Sequence, residues 1–144
     1  MIRIRNFTRD DVTVLKRMYG QLTEAEILAM LDEWNSCELG GKYFESLAVC
    51  KEDEVVGVVF LSQHSGYIIS AGPEIFPEYR RQGYAFRALS LAYEYAKGKG
   101  YKIASVQIRK DNAAGIRLHE KLGFLPDTEV TDLSGERVIC LKLL

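Results

Sequence analysis

The chain has almost no net charge: 19 Lys and Arg stand against 20 Asp and Glu, a formal charge of -1 over 144 residues. That balance excludes nucleic-acid binding driven by bulk charge, so any anion site has to be built locally. A long hydrophobic run is also missing. The longest, Val55 to Leu61, is interrupted by Gly57 and falls far short of the roughly 20 apolar residues a bilayer span needs. The opening MIRIRNF alternates charge with hydrophobe and lacks the apolar core of a signal peptide. No membrane partner is expected, and the reading is a cytoplasmic protein. No CxxC pair occurs either. Cys37, Cys50 and Cys140 are odd in number and far apart, which points to reduced thiols and leaves no metal site. Repeats, low-complexity segments and linkers are absent too. With 47% hydrophobic residues, a chain of this size is expected to form a single domain over residues 1–144 around one core.

What is present is a regular succession of elements. Ile2, Ile4 and Asn6 alternate with Arg3, Arg5 and Phe7, as in a strand. Thr8 is placed to cap a helix running to Tyr19 and ended by Gly20. Thr23 caps a second, with Ile27, Leu28, Leu31 and Trp34 at helical spacing and Glu26 completing a capping box. CELGG, residues 37–41, reads as a loop. Strands are predicted at 46–51, 55–62 and 67–76, with turns at Glu52-Asp53 and His64-Ser65-Gly66. A helix then runs from about Gly83 to Lys99, a strand from Lys102 to Ile108, and a helix capped by Asn112 to Leu122. Strands at 128–133 and 138–143 close as a hairpin around Ser134-Gly135. The fold class is therefore α/β of the α+β kind, in the order β-α-α-β-β-β-α-β-α-β-β. A meander joined through a strand-helix-strand crossover implies a mixed sheet with helices on both faces.

Between the third meander strand and its helix stands EYRRQGYA, residues 78–85. The first turn of a helix carries amides without intrahelical partners, and the peptide dipoles place partial positive charge there. Gly83 removes the side chain that would hold a phosphate off the backbone, and Ala85 keeps the next approach clear. Arg80, Arg81 and, one turn further, Arg87 add full charges. These are the features of a polyphosphate site. It is neither a dinucleotide fingerprint, which needs GxGxxG, nor a Walker loop, which needs G-x-x-x-x-G-K-S/T.

Downstream lies NAAGIRLHEKLGF, residues 112–124. Gly115, Leu118, His119 and Leu122 fall on one helical face, with His119 at the edge of the apolar stripe. Together the two segments resemble the GNAT family of acyl-CoA-dependent N-acetyltransferases. Arg80, Gly83 and Ala85 match the family loop Q/R-x-x-G-x-G/A, and IFPEYRRQG looks like its usual V-x-P-E-Y-R-G-K-G. Asn112, Leu118, Glu120, Lys121, Leu122, Gly123 and Phe124 match the family segment N-x-x-A-x-x-L-Y-E-K-L-G-F. Two positions depart from it: Gly115 stands where alanine is common, and His119 where the family has a tyrosine.

The resemblance implies a GNAT acyl-CoA N-acyltransferase fold and acetyl-CoA as co-substrate, with no metal. The diphosphate would sit on the amides of Arg81, Gln82, Gly83, Tyr84, Ala85 and Phe86, with Arg80 and Arg87 beside it. The pantetheine arm would pair with the backbone of Glu74, Ile75 and Phe76, and Asn112 would lie next to it. The cleft would open where the strand ending at Phe76 splays from strand 102–108. An amine attacks only when neutral, and a lysine-like ammonium titrates near ~10.4, so a base is required. Glu74 is the candidate, ahead of Tyr67 and His64. A backbone amide near Ile75 would stabilise the oxyanion. By its register with the family tyrosine, His119 would protonate the leaving sulfur as general acid.

The acceptor read from this resemblance is a primary amine of a small molecule. Glu24, Glu26, Asp32, Glu33, Glu38 and Glu45, opposed only by Lys42, would form an acidic lid favouring a cationic amine. Trp34, Tyr43 and Phe44 either line its pocket or pack the core. The alternatives are a protein N-terminal or lysine acetyltransferase, and a non-catalytic acyl-CoA-binding sensor that has lost the acid. Paired edge strands at the C-terminus would allow a homodimer.

Overall fold

The computed structural model of the chain describes residues 1–144. Its elements are β1 (Ile2–Asn6), α1 (Val12–Met18), α2 (Glu24–Asn35), β2 (Glu38–Leu39), β3 (Lys42–Lys51), β4 (Glu54–Ser65) and β5 (Ile68–Ile75). There follow α3 (Tyr84–Gly98), β6 (Ile103–Arg109), α4 (Ala113–Lys121), β7 (Leu125–Asp132) and β8 (Gly135–Leu143). The strands form a mixed sheet in the order β1-β3-β4-β5-β6-β8-β7, with β2 paired to the start of β3. Every pairing is antiparallel except β5 with β6, the crossover made through α3.

Alternation along the strands divides the apolar residues between two sides. Leu47, Val49, Leu61, Ile69, Ala71 and Ile75 pack with Ala88, Leu89 and Ala92 of α3 and Leu122 after α4. Ala48, Cys50, Val58 and Phe76 pack with Leu15, Ile27, Leu31 and Trp34 of α1 and α2. Burial of these stripes, rather than helix propensity, supplies most of each helix's stability. Thr23 and Glu26 form the expected reciprocal cap of α2, at 3.1 and 2.9 Å.

Two irregularities shape the centre. β5 meets β6 only at Ile68–Ile103 and Ile69–Ala104, so from Ser70 to Ile75 one edge of β5 faces a widening fissure. At its apex the Ala71 N–H donates to the hydroxyl of the buried Tyr93, at 3.1 Å. In β4, the strand paired to the other edge of β5, the register with β3 jumps from Val49–Gly57 to Cys50–Val55, leaving Val56 as an extra residue, and such bulges bend the bulged strand. At Gly57 a Cβ would lie 2.5 Å from the Glu74 carbonyl oxygen and 2.9 Å from the Ile75 Cα. Only glycine fits.

Some expectations need correction. Residues 37–41 are not a loop throughout: Glu38 and Leu39 pair with Tyr43 and Lys42 across Gly40 and Gly41, both with positive φ. β3 accordingly begins at Lys42 rather than 46. The first helix starts as a 3-10 turn over Arg9–Asp11, because Asp11 turns back to take the Thr8 amide at 2.8 Å and a bidentate Arg5. β4 runs on to Ser65 past a register shift after Gln63, which moves Tyr67 out of the strand and into the turn. β7 begins at Leu125, three residues early, because another shift absorbs Asp127.

Candidate active site

The segment linking β5 to α3 holds its shape through backbone conformation. Gly83 caps α3 at φ +78° and Arg81 adopts φ +64°, an uncommon conformation for a side-chain-bearing residue. Left-handed residues of this kind let successive N–H groups face one concavity that binds anions, and strain of this sort clusters at ligand sites. No atom lies within 4 Å of where a Cβ on Gly83 would be. Arg80 turns its Nε back to the Ile75 carbonyl at 2.9 Å, tying the loop to the end of β5. The Tyr79 hydroxyl, bonded to Glu54, ties it to β4. Arg81 and Arg87 are exposed and make no salt bridge, so their charge is free for a ligand.

From this loop a cleft of about 530 Å³ runs along the open edge of β5. Of the residues singled out in the sequence, Glu74, Ile75, Arg80, Arg81, Gly83, Tyr84, Ala85 and Phe86 line it. Phe76, Gln82, Arg87, Asn112 and His119 do not. Phe76 is buried under α1 and α2; its N–H donates to the Val56 carbonyl at 2.9 Å and its carbonyl accepts the Tyr79 N–H. Backbone groups of an antiparallel strand point alternately to either side, so Ile75 turns its N–H and carbonyl to the fissure while Glu74 turns its own toward β4. The backbone pairing expected over 74–76 thus narrows to Ile75, with the Pro73 carbonyl one pleat earlier. Sequence reasoning gave no role to Pro73, Tyr79, Leu118 or Lys121, which also line the cleft. Lys121, one turn beyond Leu118, sets its ammonium 4.6 Å from the centre of the Phe86 ring. The helical spacing of 118 and 121 was the available signal.

The amides, the free guanidinium groups and the space at Gly83 suit a diphosphate; Pro73, Ile75 and Leu118 give an apolar wall for the arm.

Glu74 and His119 lie on different sides. Ile75 and Ala71 project toward α3, so Glu74 projects toward α1. It is exposed, and its charge acts with burial to raise the pKa of Tyr19, burial being the larger cause. His119 is 7% exposed, edge-on to Phe124 at 5.1 Å. Its Nδ1 lies 2.8 Å from the Gly115 carbonyl. A carbonyl can only accept, which assigns the Nδ1–H tautomer; Nε2 is enclosed and has no partner. Asn112 caps α4 by accepting the Gly115 N–H at 2.9 Å. A Cβ on residue 115 would lie 2.6 Å from its Nδ2, which accounts for glycine at a position where alanine is common.

None of the acids of residues 21–46 lines the cavities that Glu74 lines. Glu26 caps α2, Asp32 pairs with Arg9, and Glu45 is buried on the α3 side, taking the hydroxyls of Tyr43 at 2.9 Å and Tyr95 at 2.7 Å. Trp34 and Phe44 pack the α2 core.

A family profile described as "Acetyltransferase (GNAT) family" matches residues 10–124. No curated protein matches the chain. Among solved structures, yncA of Salmonella typhimurium, with its cofactor acetyl-CoA, is 18% identical; the match covers 99% of this chain and 94% of that one with a TM-score of 0.75. A ribosomal-protein-alanine N-acetyltransferase from Brucella melitensis is 18% identical over 99% of each chain, with a TM-score of 0.76. Spermidine N-acetyltransferase from Vibrio cholerae is 13% identical, covering 99% and 93%, with a TM-score of 0.78. At such identities the likeness is one of fold.

Proposed function

The chain belongs to the GNAT family of acetyltransferases, whose members use acetyl-CoA as co-substrate, and from that premise we propose that it acetylates a primary amine of a small molecule by direct attack on the thioester. The observation that carries this reading is the cleft itself. A strand edge left unpaired over Ser70 to Ile75 leads into a helix start with left-handed Arg81 and Gly83 and unpaired guanidinium groups.

The thioester supplies an activated acetyl carbon; the rest of the chemistry falls to the chain. The amides of the loop and first turn of α3 hold the diphosphate, and the Pro73 carbonyl accepts from the arm along β5. The Ile75 N–H, turned to the fissure, is the donor for negative charge on the carbonyl oxygen during attack. Glu74, on the α1 side, takes the proton of the incoming ammonium so that the nitrogen lone pair can form the new C–N bond, and the second proton that the nitrogen sheds to become an amide passes to water as the tetrahedral species collapses. As the C–S bond breaks, the sulfur needs a proton. For His119 to supply it from Nε2, with Nδ1 committed to the Gly115 carbonyl, the ring must be protonated and must turn out of its enclosure toward the cleft, which it does not line.

Calorimetric titration with acetyl-CoA, followed by thiol release over a panel of amines, tests the reading. Saturable binding and release with small amines are expected. Release with peptides alone would transfer the role to protein modification, and binding with no release under any acceptor would leave an acyl-CoA sensor.

A further inference from the structure

Beside the acetyl-CoA cleft, on the α1 side of the sheet, lies a second cavity of about 390 Å³. Glu74 and Arg80 line both spaces, so the partition between them carries one acid and one guanidinium group. The cavity is built from α1, the end of β5 and the turn before the phosphate loop. Its apolar surface comes from Met18 and Phe76, and its charge from Arg17, Glu74, Glu78 and Arg80. Two carboxylates and two guanidinium groups leave it neutral in sum but strongly polar.

The four charges are unequally committed. Arg17 gives one nitrogen, Nη2, to Glu78 Oε1 at 2.6 Å and keeps its other donors. Arg80 gives only Nε, to the Ile75 carbonyl, and keeps its terminal nitrogens. The carboxylate paired in this region is Glu78, whereas Glu74 has no salt-bridge partner. The unspent groups are therefore one carboxylate at the partition and two guanidinium forks around it. A polycation entering here would be drawn to Glu74 and repelled by both arginines. An anion without an amine would meet the reverse.

Resting on the acetyltransferase reading above, we propose that this cavity is the acceptor subsite and that it takes an amine which also carries a carboxylate, an amino-acid-like zwitterion. The ammonium meets Glu74, the group assigned to deprotonate it, at the edge of the acetyl-CoA cleft. The carboxylate meets Arg17 and Arg80, whose planar donor forks match it bidentately. Discrimination comes as much from what the arginines reject as from what they hold. The volume lies in the range of small-ligand sites, and Glu26, Asp32 and Glu45, three of the acids that would have favoured a polyamine, are engaged elsewhere. Met18 and Phe76 leave room for an apolar side chain.

The test is binding to the CoA-loaded protein, by calorimetry, of two series: leucine, leucinamide and 3-methylbutylamine; lysine, lysinamide and cadaverine, with spermidine added. In at least one series the carboxylate-bearing member is expected to bind about tenfold more tightly than its amide and its bare amine, as one added ion pair of about 1.4 kcal/mol would give. Arg17→Ala is expected to abolish that preference without changing the affinity for acetyl-CoA. Equal binding across both series, tighter binding of spermidine or the amides, no binding by any member, or an Arg17→Ala loss that is the same for all would overturn the proposal. Acetyl-CoA is titrated first. Failure there sinks the acetyltransferase reading as well, whereas normal acetyl-CoA binding with no carboxylate preference sinks only the acceptor class.

Discussion

Gly57 has no room for a side chain, and what blocks it is backbone: the Glu74 carbonyl and the Ile75 Cα. A strand that must move to admit a methyl group is the strand that carries the proposed base and oxyanion donor. Gly57→Ala is expected to destabilise the fold by about 1–3 kcal/mol, as overpacking does, and to weaken acetyl-CoA binding; urea denaturation and calorimetry would measure the two. The sequence signal was a lone glycine in a valine run, which marks a bulge or a close approach but does not say to what. His119 poses the opposite case, since its register was legible and its environment was not. Its ring is enclosed, with Nε2 unpartnered. His119→Ala is expected to lower turnover ~10²- to 10⁴-fold, the usual range for a general acid, with acetyl-CoA affinity unchanged. His119→Tyr, restoring the family residue, should recover much of that loss. A loss of only a few-fold in the alanine variant would make His119 a packing residue against Phe124.

The start of α3 was the most legible element, because arginines, a glycine and an alanine stretch mark a turn into a helix by residue type alone. Its consequence is testable. Gly83→Val forces a β-branched residue to φ +78° and puts its methyl groups where phosphate oxygens would lie. A cost of about 1–2 kcal/mol in stability should be accompanied by a far larger loss of acetyl-CoA affinity. The strand boundaries were less legible, for a physical reason. Bulges at Val56, His64 and Asp127 and the small β2–β3 hairpin are chosen by tertiary packing, which local propensity does not record. The four residues by which β3 was shortened mattered most. Counted from Leu47, period-2 alternation puts Glu45 on the α3 face, away from any acceptor lid. The extent of the β5–β6 fissure followed from family resemblance and not from any residue pattern.

At the scale of the whole molecule, Glu45 joins β3 to α3 through the Tyr95 hydroxyl, takes the hydroxyl of Tyr43 on its own strand, and is reached by Asn6 of β1 at 3.4 Å. Burial first, and then the Glu45 carboxylate, raise the pKa of both Tyr43 and Tyr95. The folded chain therefore holds these protons at a pH where the unfolded chain, with tyrosines near ~10, releases them. Their contribution to stability is intact below about pH 10 and is lost as pH rises beyond it. Melting temperatures between pH 8 and pH 11 should fall more steeply in the wild type than in Glu45→Gln, in which one of the two causes is gone; parallel curves would contradict this. A related arrangement at the fissure has a different outcome. Two neighbouring parallel strands would ordinarily zip together along their length, and a ligand would then have to prise them apart. Tyr93 forestalls this by taking the Ala71 amide that the next rung of the ladder would have claimed. It acts as a wedge driven into a seam, so that coenzyme arrives at a slot already cut. Tyr93→Phe would strand a buried amide at a cost of about 1–3 kcal/mol, read as a lower urea midpoint, or let the seam close before its guest arrives, read as slower acetyl-CoA association.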